Sequence, residues 1–427
     1  MRTGSFFLAL GNDGDVTGAT HDPSAPGDAV VDVTEHGVVG DGETDDTAAF
    51  QRAADAATPT GVLYVPAGCT ARITDRIDVD CGGKDRASQF RLACDGAVTP
   101  ETGADVFVHN ARYPRLFLRV QGGGGDVDED AALRLEDVSG GLVSAYGIDY
   151  PGTLLRLQWH RNDSDNSQPD VYPEFEQLSV GELRSAFCGR SLYAGPADDA
   201  DEWAHSGGFG QINDVWEHRS RKNLTCRNVN DLCINQYENH THDRRGTEQG
   251  VLIDHCAAVW VDRMLIGGTF AEASPQLELH NVEEARFGTL ASSTDHEGDC
   301  YLLDSVNTTT IDAFPGGCSG VGIRVRETGH RETDHLSIRL KGEEADGSAV
   351  TIEDSVSGHV ELAGMARDSG DETTPLFDLR GGEVVCRGLR SVDHPGPDLR
   401  AGDDATVHLF DCRLDEIEGS VATDRRY

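Results

Sequence analysis

The sequence predicts an all-β solenoid that begins with one short α-helix. Short apolar strands recur from residue 250 onward, at steps of 21 to 27 residues. Near the N-terminus, one stripe of apolar residues at helical spacing is followed by a strand. The composition agrees, because 50 glycines and only 6% aromatic residues suit many turns around a narrow aliphatic interior.

The N-terminal helix signal lies between Gly37 and Gly68. Thr44 and Asp45 are favourable N-cap residues, and the sequence Thr58-Pro59 stops a helix. The apolar stripe between them consists of Ala49, Phe50, Ala53, Ala54 and Ala57. We therefore predict a helix over about residues 45–57, packed on a first strand at Val62–Val65.

The same stretch carries a family resemblance. Gly40-Asp41-Gly42, Thr44-Asp45-Asp46-Thr47-Ala48-Ala49-Phe50-Gln51 and the following strand with Pro66 and Gly68 resemble the N-terminal signature of the pectate-lyase-like superfamily. This superfamily contains secreted polysaccharide lyases, polygalacturonase-like hydrolases and viral tailspikes. The resemblance implies a right-handed parallel β-helix whose first rung is covered by the helix, and the tailspike members imply a homotrimer.

The repeat itself is independent of that resemblance. Taking Leu252, Leu277, Leu302, Ile323, Val350, Phe377 and Leu399 as equivalent positions gives steps of 25, 25, 21, 27, 27 and 22 residues, and each unit holds two or three short alternating strands. A strand repeat of this length without helices indicates a β-solenoid, in which each rung buries its apolar row against the next.

The predicted organisation is a single solenoid with irregular ends. Residues 1–29 form an N-terminal arm or leader, residues 30–68 the capping helix and first strand, and residues 69–419 the β-helix. Polar excursions interrupt the β-helix at about 158–215, and residues 420–427 form a tail without a strand signal. Neither a signal peptide nor a membrane span is expected, because no apolar run is long enough.

The charge is extreme and one-sided. The formal net charge is −39, with 75 acidic residues against 36 basic ones, of which only Lys84, Lys222 and Lys341 are lysines. Such a surface is tolerable in concentrated salt, where charges are screened over about 3 Å. We therefore expect a halophilic origin, and the same charge argues against nucleic acid as a partner.

The spacing of the cysteines predicts neither a zinc site nor a disulfide framework. Eleven cysteines occur without a C-x-x-C pair, so neither a zinc site nor a full set of disulfides is predicted. Most are expected to be small buried side chains. Cys300 and Cys318 are close enough in sequence for one bridge across a loop.

Candidate ligand-binding residues cluster around the excursions. Flat aromatic faces beside polar groups suit sugar rings, although packing of loops or subunits explains such rings equally well. The candidates are Trp159, Trp203, Trp216, Tyr237, His240, His242 and Arg244.

Catalytic residues are less well defined. Asp243, in a polar cluster, and Asp254 with Asp304, two repeats apart, are the candidates for acid or base chemistry. In a 25-residue register Asp254 aligns with Leu279 and then Asp304, so the sequence offers no convincing adjacent pair. No metal site or cofactor is predicted, and a bound cation is not indicated.

Three functions remain open at this stage. The first is a virion surface or tailspike-like protein, extracellular and homotrimeric, which binds host surface glycan or glycoprotein of a halophilic archaeon and contacts other virion proteins through its N-terminal arm. The second is a polysaccharide lyase or glycoside hydrolase. The third is a purely structural virion component.

Overall fold

The computed structural model describes residues 29–82, 89–159, 178–196, 210–241, 247–268, 274–293, 296–342, 344–367 and 371–425. Within these residues the chain forms a 3-10 helix (Val33–His36), one α-helix, α1 (Thr47–Ala57), and 35 strands. Residues 1–28 of the predicted arm at 1–29 lie outside the described residues.

The strands are short and follow one another closely. The first twelve are β1 (Val30–Asp32), β2 (Asp41–Asp45), β3 (Val62–Val65), β4 (Thr70–Ile73), β5 (Ile77–Asp80), β6 (Arg91–Cys94), β7 (Ala97–Pro100), β8 (Val106–His109), β9 (Arg115–Gln121), β10 (Ala131–Glu136), β11 (Leu142–Ile148) and β12 (Thr153–Trp159). The next twelve are β13 (Ser179–Ala186), β14 (Arg190–Pro196), β15 (Gln211–His218), β16 (Thr225–Arg227), β17 (Cys233–Thr241), β18 (Val251–Asp254), β19 (Ala257–Gly268), β20 (Leu277–His280), β21 (Glu283–Ser293), β22 (Tyr301–Asp304), β23 (Thr310–Phe314) and β24 (Gly316–Cys318). The last eleven are β25 (Ile323–Arg326), β26 (Leu336–Lys341), β27 (Glu344–Ala345), β28 (Val350–Ile352), β29 (His359–Arg367), β30 (Phe377–Leu379), β31 (Glu383–Val392), β32 (Leu399–Ala401), β33 (Thr406–Phe410), β34 (Ile417–Glu418) and β35 (Thr423–Arg425).

Two large parallel sheets wind around a common core. From β8 to β23 the chain alternates between a 14-stranded sheet, which holds the even-numbered strands, and a 19-stranded sheet, which holds the odd-numbered ones. Each strand pairs in parallel with the strand of the same sheet one circuit later. The predicted all-β parallel β-helix with an N-terminal helix is therefore confirmed.

The capping helix closes the first rungs. Phe50 is fully buried, and α1 packs against β1, β3, β4 and β5. Gln51 accepts a hydrogen bond from the backbone N–H of Asp78 and donates one to its carbonyl oxygen, each at 2.8 Å. Because β5 is the terminal strand of the 14-stranded sheet, the helix satisfies an edge that would otherwise present unpaired backbone groups.

The start of the helix differs from the prediction. The N-cap is Asp46, but its carboxylate accepts from Val39 N (2.7 Å) and Gly40 N (3.1 Å) rather than from the first helical turn. Asp45 instead accepts from the backbone N–H of Thr47 at 3.0 Å. Asp46 therefore fixes the preceding loop, and Asp45 accepts the hydrogen bond from the first helical residue.

Two of the seven positions that were predicted to be equivalent in the repeat are out of register in the structure. Val251 pairs with Leu277, and Leu277 pairs with Tyr301, so Leu252 and Leu302 each lie one residue away from the inward row. The strands at these positions contain three apolar residues in succession, so alternation does not reveal which side chain points inward.

Two further expectations also fail. The tail is not without structure, because β35 pairs in parallel with β33. Cys300 and Cys318 are both free thiols, as are the other nine cysteines. The bridge across this loop is therefore absent.

A stack of extra residues interrupts the alternation of inward and outward side chains in the 19-stranded sheet. The register between β11 and β13 shifts at Val143 and Ala145, and from β13 onward the inward residues at this point are three apart, as with Ile212 and Val215 in β15. Ordinary alternation returns where β21 pairs with β23. Five successive strands therefore carry the same insertion in line, which alters the outer face of the sheet there.

Candidate functional site

The predicted ligand-binding residues do not form one site in the structure. Trp216 and His240 lie on neighbouring strands of the 19-stranded sheet with ring centroids 6.2 Å apart. Tyr237 is fully buried inside the solenoid, so this ring cannot stack on a sugar and the prediction is wrong for it. Trp203, His242, Arg244 and Asp243 lie outside the described residues, and the side chain of Trp159 is also not described.

Polar and aromatic side chains lie close together on the outer face of the 19-stranded sheet, beside the stacked extra residues. We call the set Tyr146, Glu182, Arg184, Asp214, Trp216 and Glu238 the central patch. Its residues come from β11, β13, β15 and β17, and the strand register places Tyr146 beside Arg184, Arg184 beside Trp216, and Trp216 beside Glu238. The stacked insertion creates a second row in which Glu182 pairs directly with Asp214.

An arginine joins the two carboxylates of the central patch. Arg184 donates from Nε to Glu182 Oε1 at 2.5 Å and from Nη2 to Asp214 Oδ2 at 2.8 Å. The hydroxyl of Tyr146 donates to the other oxygen of Glu182. All four side chains are partly exposed, so the network faces solvent while its members hold one another in place.

The local electrostatics favour the protonated form of Asp214. Partial burial raises the pKa of Asp214, and the nearby charges of Glu182 and Glu238 oppose its ionisation further, although Arg184 acts in the other direction. Burial and the hydrogen bond to Glu182 also raise the pKa of Tyr146. Asp214 therefore holds a proton more readily than an isolated aspartate.

The aromatic part of the patch is stacked. Trp216 lies parallel to His218, with ring centroids 5.7 Å apart and an interplanar angle of 10°. Next to this pair, Glu238 contacts His240 Nε2 at 3.4 Å and Arg263 Nη2 at 3.4 Å. A partly exposed ring surrounded by carboxylates and guanidinium groups offers a stacking face and planar hydrogen-bonding groups at one location.

A known family model matches the N-terminal part of the chain. Residues 30–77 match a family model described as "Rhamnogalacturonase A/epimerase, pectate lyase-like". This segment is the capping unit, and the match supports the predicted resemblance at the level of the pectate-lyase-like superfamily. No curated protein matches the chain.

Three solved structures align over most of the chain. The A-module of the mannuronan C-5 epimerase AlgE4 from Azotobacter vinelandii is 13% identical, with a TM-score of 0.40 and coverage of 91% of this chain and all of that one. The AlgE6 A-module from the same organism is 12% identical, with a TM-score of 0.34 and coverage of 93% and 97%. PfbA, a surface adhesin of Streptococcus pneumoniae, is 12% identical, with a TM-score of 0.22 and coverage of 89% and 92%. At these values the alignments indicate nothing about substrate.

The described residues also contain no helix that is long and apolar enough to cross a membrane.

The pair Asp254 and Asp304 forms a separate cluster and does not fit a glycosidase pair. The residue that aligns between them is His280, not Leu279. Asp304 has no exposed side-chain surface and accepts hydrogen bonds from Arg326 Nε at 2.7 Å and from the Thr328 backbone at 2.9 Å. Burial raises the pKa of Asp304, but these and further hydrogen bonds outweigh it and lower the pKa overall.

Sequence reasoning missed Glu182, Arg184 and Asp214. Val180 pairs with Ile212, and residues outside the described part of the chain lie between them. The number of residues between these two positions therefore differs from the regular repeat, and a constant repeat does not align β13 with β15. One signal was present: Glu182-Leu-Arg184 and Asp214-Val-Trp216 each place two polar or aromatic residues on either side of an inward aliphatic one.

Proposed function

We propose that the protein is an extracellular glycan-binding spike whose binding site is the central patch. The observation that carries this proposal is the partly exposed Trp216 ring, which lies in register between the charged side chains Arg184 and Glu238 on one outer face. The match of residues 30–77 to a model named for rhamnogalacturonase A and epimerase is consistent with a carbohydrate ligand.

The setting of this activity is part of the same proposal. The net charge of −39 with three lysines supports an environment of high salt. Placement of the spike on a virus of a halophilic archaeon belongs to the same proposal. We propose a homotrimer, attached to the particle through residues 1–29, that binds surface glycan or glycoprotein of its host.

The test compares two tryptophans. Trp216→Ala removes the ring from the central patch, whereas Trp260→Ala removes a ring that is 45% exposed at the start of β19, where it pairs with Cys233. A stacked ring contributes on the order of 1–2 kcal/mol, so we expect roughly tenfold weaker binding to host cells for Trp216→Ala alone. Equal binding by both variants, with unchanged sedimentation, would exclude the central patch.

Cleavage of the bound glycan is the second candidate function. Glu182 and Asp214 occupy directly paired positions on adjacent strands, which lie about 4.8 Å apart. This spacing is close to the ~5 Å separation of the two carboxyl groups in retaining glycosidases, one of which keeps its proton. Asp214, with its raised pKa, fits the acid, and Glu182 fits the nucleophile.

Product analysis separates the candidates. Incubation of the protein with purified host polysaccharide would give new reducing ends under hydrolysis and unsaturated ends under lyase action. Asp214→Asn and Glu182→Gln should each abolish these products while binding persists. Binding without products leaves the attachment function, and neither binding nor products leaves a structural component of the particle.

A further inference from the structure

A second group of ionisable side chains lies on a different face, where strands of the 14-stranded sheet turn toward the 19-stranded sheet. Asp254 ends β18, His280 ends β20 and Asp304 ends β22, and the three are in direct register. His255 follows Asp254 in the left-handed region, with φ of 51°. The turn therefore brings a second imidazole back toward the same carboxylate.

Three potential ligand atoms converge in this group. Asp254 Oδ1 lies 2.6 Å from His255 Nδ1 and 3.0 Å from His280 Nδ1. One ligand atom from each residue lies within 4.8 Å of the others. Atoms bound to one metal at 2.0–2.2 Å are separated by roughly 3–4 Å, so only small adjustments are needed to surround an ion.

We propose that Asp254, His255 and His280 bind one divalent transition metal of the zinc class. Two imidazole nitrogens and one carboxylate oxygen are a ligand set that such ions favour over calcium or magnesium, which prefer oxygen alone. Three protein ligands leave a fourth position for water.

The surroundings support His280 as a ligand. When the metal binds Nδ1, the ring proton resides on Nε2, which lies 3.7 Å from Asp304 Oδ2. Asp304 is held by Arg326, Thr328 and Ser305. A metal-binding imidazole usually donates its other N–H to a carboxylate, which fixes the tautomer and raises the basicity of the ring. At 3.7 Å the His280 ring lies just beyond hydrogen-bond distance of Asp304, so it would need to move slightly toward this carboxylate when the metal binds.

The surroundings of His255 are less favourable, and this gives a sharp test. Its Nε2 lies 3.2 Å from Asn281 Nδ2, an N–H donor that also lies 3.3 Å from His280 Nδ1, while Asn281 Oδ1 accepts from the backbone of His330 at 2.9 Å. With metal on Nδ1, the Nε2 proton would face another donor. Asn281→Asp supplies an acceptor for that proton and keeps one for His330, so it should tighten metal binding.

Nearby charges set the strength of the site. Arg227 Nε lies 3.7 Å from Asp254 Oδ2, and Arg326 contacts Asp304 at 2.7 Å. Asp304 and the half-buried Glu278 add negative charge close to His280. The ion would take the place of the hydrogen bonds that now join the two Nδ1 atoms to Asp254, and each ring would carry its remaining proton on Nε2.

The experiment is a zinc titration of chelator-treated full-length protein at the salt concentration where it is stable. We expect one Zn²⁺ per chain by equilibrium dialysis with elemental analysis, and Co²⁺ to give a visible absorption band typical of a tetrahedral site. His280→Gln and His255→Gln should each weaken binding by about 100-fold or more, and Asn281→Asp should strengthen it several-fold.

His335→Gln is the matched control. His335 Nδ1 contacts the preceding Asp334 at 2.6 Å, the same arrangement as Asp254 and His255. Among the residues the structure describes, this pair belongs to no group of three converging ligands. Its replacement should leave zinc binding unchanged. Circular dichroism without metal verifies that each variant is folded. Folded parent protein that takes up no zinc, or folded His255→Gln and His280→Gln variants that bind it as the parent does, would overturn the proposal.

Discussion

Replacing Phe50 by Ala tests whether α1 is an integral part of the solenoid. The ring is fully buried, and the helix packs on four strands of the first rungs. Truncation removes the ring and leaves a cavity between α1 and those strands. Substitutions of this kind cost about 3–5 kcal/mol, whereas Phe50→Leu, which keeps most of the volume, should cost less than about 1.5 kcal/mol.

Gln51→Ala measures the other contact of the helix. It removes the two hydrogen bonds to the backbone of Asp78 and leaves the edge of β5 to water. Two partly exposed hydrogen bonds of this type contribute roughly 1–2 kcal/mol together. Ala56→Ser, on the exposed face of the same helix, is the control and should change stability by less than about 0.5 kcal/mol.

Guanidinium denaturation followed by circular dichroism gives the free energies. In a solenoid each rung is stabilised by its neighbours, so loss of the cap should lower the midpoint of the first rungs and broaden or shift the whole transition. The expected order of destabilisation is Phe50→Ala, then Gln51→Ala, then Ala56→Ser. If Phe50→Ala unfolds like the parent, the helix is not coupled to the rungs and the capping argument is refuted.

Three other predictions concern salt, thiols and a buried carboxyl group. Dialysis from molar to about 50 mM salt should cause loss of strand signal, because the charge of −39 is then unscreened; unchanged spectra would contradict a halophilic origin. Ten of the eleven cysteines are buried and Cys233 is half-buried, and burial raises the pKa of Cys94 to about 12. At pH 8 a thiol reagent should therefore modify at most one thiol per native chain, and all eleven after denaturation. Burial raises the pKa of Glu217 despite hydrogen bonds from Ser191 and Tyr237, so the folded state keeps this proton to a higher pH than the unfolded chain does. The stabilising contribution of this residue therefore falls as pH rises above the ordinary pKa of about 4.5. The stability of Glu217→Gln relative to the parent should therefore increase with pH in paired denaturation curves, and a constant difference would show that Glu217 does not titrate in this way.

Local signals explain why the N-terminal unit was predictable. The stripe from Ala49 to Ala57 and the strand at Val62–Val65 are each encoded within one short window, and the structure places both within two residues of the prediction. The later rungs were predictable because their nearly constant step makes the repeat visible without knowledge of the turns.

The functional groups were harder to predict because they depend on register between distant strands. Glu182 and Asp214 meet only because β13 and β15 share one inserted residue, and the excursion between them hides the step. His280 was placed one position away from Asp254 because β18 contains an unbroken apolar run. A slip of one residue exchanges the inward and outward faces, so an error that is harmless for the fold conceals the site.

The stacked insertion in β13, β15, β17, β19 and β21 also restricts how this surface can evolve. Deletion of one residue from the insertion in β15 alone would put that strand out of step with β13 and β17 at once, and the in-register contact between Asn213 and Asn235 at 3.0 Å would be lost. Loss or duplication of a whole circuit of the solenoid keeps the register between all remaining neighbouring strands. Lineages carrying this chain should therefore gain and lose length here in complete rungs, while the residues of the central patch change by substitution.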